Sequence, residues 1–206
     1  MIYVSFDIGL KNLALCILRE EEKVSIIDWQ IICLAESKKK FKGINNISDV
    51  IYCELDNIMG KLETININYI DYVIIENQPS NLNGIMKTIQ HLIFSYFNLL
   101  RHWDKRVGNV ILINPSLKLQ NHSFVPTLQK TANTSKQEKY KITKLNGIEV
   151  CSYYVQNDAK LKSFLLSHKK KDDLSDTCLQ TLSYIRKMGN NVEEVSLDMQ
   201  NFLEII

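Results

Sequence analysis

No stretch of the sequence approaches the roughly 18 uninterrupted apolar residues that a membrane span requires, because Asp7 and Lys11 break its apolar start. That start also lacks the basic n-region of a secretory signal, so a protein without a membrane span and not secreted is expected. Cysteine is scattered: Cys16, Cys33, Cys53, Cys151 and Cys178 form no C-x-x-C pair, and their number is odd. This pattern speaks against a disulfide framework or a structural zinc site and fits a reducing compartment. Cys16, Cys33 and Cys178, set among apolar neighbours, read as core fillers. Charge of one sign is also missing, since the formal net charge is only +2, too small by itself to announce a nucleic-acid partner.

What is present is an ordinary globular composition, 45% hydrophobic and 23% charged over 206 residues, enough for one core and a single domain over residues 1–206. The distribution of charge says more than its sum. Between Pro115 and Asn146 there are six lysines (Lys118, Lys130, Lys136, Lys139, Lys141 and Lys144) against one acid, Glu138. A second run, Lys169 to Lys171, directly precedes Asp172, Asp173 and Asp176. The run Lys38 to Lys40 reads as a solvated loop.

Ile2 to Phe6 is a β-branched and aromatic run ending at Asp7, followed by a turn and a second run, Leu13 to Leu18. Val24 to Leu34 reads as a third strand, completing an antiparallel meander. Ser48 can cap a helix that ends near Ile65, and Ile70 to Ile75 then reads as a buried strand delivering Glu76 at its end. Residues 83–103 carry the strongest helical periodicity, yet Met86, Phe94 and Leu99 lie off the main apolar stripe. Lys87 is the only formal charge between Gly84 and Leu100. A subunit interface explains such a helix, and a fully internal helix is the competing reading. A short strand, Val110 to Ile113, precedes helical segments at about 135–154, 158–168 and 172–188. This order predicts an α/β fold with a mixed five-stranded sheet, three antiparallel strands then two parallel, flanked by helices, with the first and fourth strands adjacent.

Taken singly, the acidic residues have bland readings: Asp7-Ile8-Gly9 as a turn, Glu76 as a polar strand end, and the aspartates at 172–176 as favourable charges at a helix start. Together they are specific, because Asp173 and Asp176 are i and i+3 on one helical face while Asp7 and Glu76 end adjacent strands. Four converging carboxylates are costly without positive charge, and a pair of Mg²⁺ ions with hard oxygen ligands is their natural partner in phosphodiester hydrolysis. Asp172, out of phase by one residue, reads as a helix cap. His122 and His168 stay outside the set as lone histidines in polar loops.

The segments Asp7-Ile8-Gly9, Ile75-Glu76-Asn77-Gln78 and Asp173-Leu174-Ser175-Asp176 resemble the motifs of the RuvC-type resolvases of the ribonuclease H-like superfamily. Among these, the sequence is similar to the Holliday junction resolvases of poxviruses, in the correct order from residue 4 to about residue 182. The resemblance implies a Mg²⁺-dependent endonuclease, with Mn²⁺ able to substitute, in which Asp7, Glu76, Asp173 and Asp176 hold two metal ions. It also implies a homodimer that nicks four-way junctions symmetrically, working in the host cytoplasm if the source is viral. Lys118, shortly after Asn114-Pro115, resembles a lysine that this family places near the phosphate. Lys130, Lys136, Lys139, Lys141, Lys170 and Lys171 complete a candidate DNA-binding set that would contact phosphates without reading sequence. The stretch from Lys118 to Val150 otherwise departs from the bacterial members.

Rival readings remain. Actin-like ATPases and sugar kinases also open on Asp-x-Gly, but they need a second glycine-rich phosphate loop that seven glycines without another Asp-x-Gly do not supply. A ribonuclease H or flap-type nuclease on the same scaffold is the alternative enzyme. A non-catalytic DNA-binding protein is the third reading, and an all-carboxylate ligand set argues against it.

Overall fold

The computed structural model describes residues 1–35, 43–79, 84–120, 122–128 and 134–198. The lysine run at 38–40 and Lys130 therefore lie outside the described residues. Strands β1 (Ile2–Asp7), β2 (Leu13–Glu20) and β3 (Val24–Ile32) form the expected antiparallel meander. Helix α1 (Ile44–Thr64) leads to β4 (Ile70–Glu76), which pairs in parallel with β1. Helix α2 (Gly84–Leu99) continues through a π turn, Leu100–Asp104, into β5 (Val107–Ile113). A 3-10 turn (Pro115–Leu119) precedes α3 (Lys136–Tyr154), α4 (Ala159–Ser167) and α5 (Lys171–Lys187).

The chain adds a sixth strand to the predicted five: β6 (Val195–Leu197) joins the outer edge of β3 in parallel, giving the order β5-β4-β1-β2-β3-β6. Asp158 explains its docking. One carboxylate oxygen caps α4 by accepting from the backbone N–H of Lys160 and Leu161, and the other accepts from the N–H of Leu197 at 2.8 Å. A tail strand of three residues, held from a distant helix cap, has too little local pattern to be read from sequence.

The period of two along the strands assigns each face its layer. Val4 and Phe6 of β1 and Val73 and Ile75 of β4 pack on α1 and α2, with Ile51, Leu55, Ile89, Ile93 and Phe97. Tyr3 and Ile74 turn to the other face, against Leu174, Cys178 and Leu182 of α5. Asp7 and Glu76 have the parity of Tyr3 and Ile74, so both point toward α5. Helix α5 is held in place at its start by the buried indole N–H of Trp29, which donates to the Leu174 carbonyl at 3.0 Å.

Two helix starts differ from expectation. Gly43 precedes α1, and the Ser48 hydroxyl donates to the Asn45 carbonyl inside the helix, so Ser48 is not the cap. At α5 the residue before the helix is Lys170, while Asp172 pairs with Lys144 of α3. Helix α3 begins on a reciprocal capping box between Ser135 and Glu138. Among the described residues no helix is long and apolar enough to cross a membrane.

Candidate active site

Phe6 of β1 lies beside Ile75 of β4, so the next residue of each strand brings Asp7 and Glu76 together at the carboxyl ends of two parallel strands. Asp7 leads directly into the turn at Gly9, where any Cβ would overlap the Asn12 carbonyl and only glycine lets the chain fold back into β2. Across from them, Asp173 and Asp176 face the strands from the first turns of α5. Gln180, one turn beyond Asp176, fixes this approach: its buried side-chain amide donates to Ser5 Oγ at 2.5 Å and to the Phe6 carbonyl at 2.9 Å.

The four acids line one cleft of about 530 Å³ with Pro115, Ser116, Lys118, Leu119, Tyr140, Thr143 and Lys144. All four predicted carboxylates are thus brought together. Lys118 enters among them: its ammonium is 3.1 Å from Glu76 Oε2 and 2.5 Å from Asp176 Oδ2. Burial works against that charge, but Asp176, Asp7 and Glu76 outweigh it and hold the lysine pKa above its ordinary value. Burial, followed by the neighbouring Glu76 charge, pushes the Asp7 carboxyl well above the usual carboxylate range. Burial also raises Asp176, against the pull of Lys118, and raises Asp173, to which the Asp172 charge adds.

The four acids of the cleft outnumber its two lysines, Lys118 and Lys144, and every candidate donor is a hard carboxylate oxygen. That donor chemistry fits a divalent cation such as Mg²⁺ or Mn²⁺. Among the described residues no three acidic, histidine or cysteine side chains are drawn tightly enough to enclose an ion. In this arrangement the Lys118 ammonium lies between Glu76 and Asp176 and supplies positive charge there.

His122, excluded by sequence reasoning, belongs to the support of this site. Its Nε2 is 2.8 Å from the Lys118 carbonyl and 3.0 Å from Ser183 Oγ, and its Nδ1 is 3.1 Å from the Tyr154 hydroxyl. Burial pushes its pKa down, favouring the neutral ring that bridges α3, α5 and the Lys118 turn. His168, by contrast, packs on Phe164 outside the cleft. Tyr140, Thr143 and Lys144 were also missed as site residues. With Gly147 they follow an i, i+3, i+4, i+7 pattern on α3, and Gly147 leaves room for Asp176 Oδ1.

The other lysines divide. Lys136, Lys139 and Lys141 are exposed on the first turns of α3. Lys170 lies 3.9 Å from Asp173 at the start of α5, and Lys171 donates to the Leu166 carbonyl. On α2, Met86 and Phe94 prove half-buried against the core, and Phe94 is also open to a surface groove. The exposed apolar residues are Leu99 and Trp103, 57% and 73% exposed, beside a shallow groove with Phe94, Ser95, Asn98 and His102.

No known family profile matches the chain. In solved structures, its fold superposes on the Holliday junction resolvase of fowlpox virus with a TM-score of 0.57 and 20% identity, covering 91% of this chain and 99% of that one. The chain has the ribonuclease H-like fold of the RuvC-type resolvases. The yeast mitochondrial Holliday junction resolvase gives a TM-score of 0.57 at 14% identity, covering 91% of this chain and 80% of that one. RuvC of Thermus thermophilus, in complex with its Holliday junction substrate, gives 0.56 at 10% identity, covering 92% and 97%. An uncharacterised protein of Acanthamoeba polyphaga mimivirus is 33% identical over 138 residues, 63% of this chain and 33% of that protein. The chain thus spans about a third of the length of that relative.

Proposed function

We propose that this protein is a structure-selective DNA endonuclease that resolves Holliday junctions and other branched replication intermediates by metal-dependent phosphodiester hydrolysis. One observation carries the reading: on a resolvase fold, Asp7, Glu76, Asp173 and Asp176 converge on a single cleft that Lys118 and Lys144 also line. The four carboxylates would hold two divalent cations, Mg²⁺ or Mn²⁺. Such ions, when bound, lower the pKa of water and neutralise charge on the leaving oxygen.

The chain's own groups do the rest. Asp7, buried within the fields of Glu76, Lys118 and Asp176, belongs to the same charge cluster. Lys118, tethered through its carbonyl to His122, presents an ammonium at the cleft floor to a non-bridging phosphate oxygen. Lys136, Lys139 and Lys141 on α3, with Lys170 and Lys171 at the start of α5, attract the flanking phosphates by charge, so binding should weaken steeply with salt. Shape of the branched DNA, more than base identity, then sets specificity.

A junction presents two equivalent strands, so paired nicks need two sites at fixed spacing, and we propose a homodimer. The apolar groove at Leu99 and Trp103 is the surface that supports it. The mimivirus relative supports a viral setting, with the host cytoplasm as the place of action.

The deciding experiment compares cleavage of a mobile four-way junction, a flap, an RNA:DNA hybrid and a linear duplex under one set of conditions. Symmetric nicking of the junction above all others is expected. Preferential cleavage of the hybrid or the flap would reassign the enzyme, and ATP hydrolysis without DNA would revive the ATPase reading.

A further inference from the structure

We infer that Tyr140 is a stacking platform for one nucleobase at the mouth of the acidic cleft, an assignment that rests on the nuclease reading above. Tyr140 lines the cleft together with Thr143 and Lys144, yet it remains 62% exposed. An aromatic ring so placed gains little from the fold. Its surroundings suit a nucleic acid: Lys136, Lys139 and Lys141 are exposed on the same helix start, and the Lys144 ammonium lies 5.1 Å from the ring centroid. Lys144 is in turn paired with Asp172 of α5, which fixes it against one side of the ring. The ring is therefore oriented before any ligand arrives.

The dimensions agree with a nucleoside, not with a phosphate alone. A cleft of about 530 Å³ falls within the roughly 300–1,000 Å³ of sites that bury whole small organic ligands. The carboxylates and Lys118 account for a phosphate, and Tyr140 adds a π surface to the same lining. Stacking on an aromatic ring is tolerant of base identity, because every base has a π face, and it requires a base free of its own neighbours. Branched DNA provides such bases at its exchange point, whereas continuous duplex does not. The platform thus adds a preference for unstacked nucleotides to a surface that otherwise senses only phosphates.

The test measures affinity by fluorescence anisotropy in Ca²⁺ for the wild type, Tyr140→Leu and Tyr140→Trp, whose folding is checked by thermal melting. The ligands are a four-way junction, the same junction with an abasic site at each nucleotide flanking the mapped cut, and that junction with 2-aminopurine there. Tyr140→Leu should weaken binding to the intact junction about ten-fold, equivalent to about 1.4 kcal/mol, and Tyr140→Trp should restore it. On one of the abasic junctions the leucine variant and the wild type should bind alike, because the stacking partner is gone. Quenching of 2-aminopurine by the wild type should be lost in Tyr140→Leu. Equal affinity of the two for the intact junction, or a ten-fold gap that persists on every abasic junction, would overturn the platform while leaving the nuclease reading intact. A wild type that neither cuts junctions nor prefers them over duplex would overturn both.

Discussion

The Lys118 ammonium lies 2.5 Å from Asp176 Oδ2 while its backbone carbonyl is held by His122, so one residue ties the acidic helix to the turn after β5. The same ammonium reaches Glu76. Replacing it with an apolar group of similar length strands two carboxylates beside Asp7. Lys118→Met should therefore destabilise the metal-free protein by about 3 kcal/mol, the cost of removing one partner of a buried pair. Added Mg²⁺ should recover a larger share of the loss than it adds to the wild type. Chemical denaturation with and without Mg²⁺ checks this, and an equal response of both proteins would contradict it.

Asp7→Asn, Glu76→Gln, Asp173→Asn and Asp176→Asn should each lower junction cleavage on the order of 100-fold or more, the effect of about 3 kcal/mol of lost transition-state stabilisation. Junction binding should remain close to that of the wild type. Asp7→Asn should also raise the Tm, because the folded protein disfavours the ionised Asp7. Asp172→Asn should be milder, since Asp172 serves the Lys144 pair and does not line the cleft. Any of the four retaining near-normal turnover leaves the active set.

Mg²⁺ and Mn²⁺ should support cleavage, and Ca²⁺ should support binding with little cleavage, because its looser coordination suits in-line displacement poorly. Full activity in chelator would remove the divalent cation from the mechanism.

Asp28 provides a pH signature away from the site. It is 3% exposed, and burial pushes its pKa up to about 6, against the opposing pulls of Lys61, Gln30 and the Trp29 backbone. The unfolded chain releases this proton near pH 4, so the folded state holds it through a window in which the unfolded state does not. Its contribution to stability is complete below about pH 4, falls as pH rises through about 6, and amounts to roughly 3 kcal/mol. Asp28→Asn should remove that slope, leaving the variant more stable at pH 7 with a gap that closes toward pH 4. Melting curves across this range decide the matter; a gap independent of pH refutes the assignment.

Charges at Leu99 or Trp103 should yield folded monomers that bind junctions weakly and seldom make paired nicks. The same charge at Met86 should lower stability instead, because that side chain packs on the core and lies outside the groove. Sedimentation and melting separate the two effects. A wild type that is monomeric at micromolar concentration, with paired cleavage intact, rules out the interface.

The features legible in the sequence are those carried by short-range periodicity. Strand parity aims Asp7 and Glu76 at one face, helical phase aligns Asp173 with Asp176, and the order of elements sets β1 beside β4. Each follows from local pattern or from the order of the elements. What tertiary structure decided was the pairing of residues far apart in the chain. Lys118 reads equally well as a loop lysine until β5 and α5 bring it between Glu76 and Asp176, across 42 and 58 residues. His122 looks like a surface residue until Tyr154 and Ser183 close around it. Asp172 passes for a cap until Lys144 arrives from α3, and β6 has no pattern of its own until Asp158 and β3 hold it. On α2, periodicity announces that more than one face is apolar. Only the packing of Tyr52 on Tyr96 and of Phe6 on Phe97 shows that α1 and the sheet use two of them, leaving Leu99 and Trp103 outside. The physical reason is common to all of these cases: local pattern selects backbone conformation and facing, whereas burial and charge pairing belong to surfaces that exist only after the chain has closed.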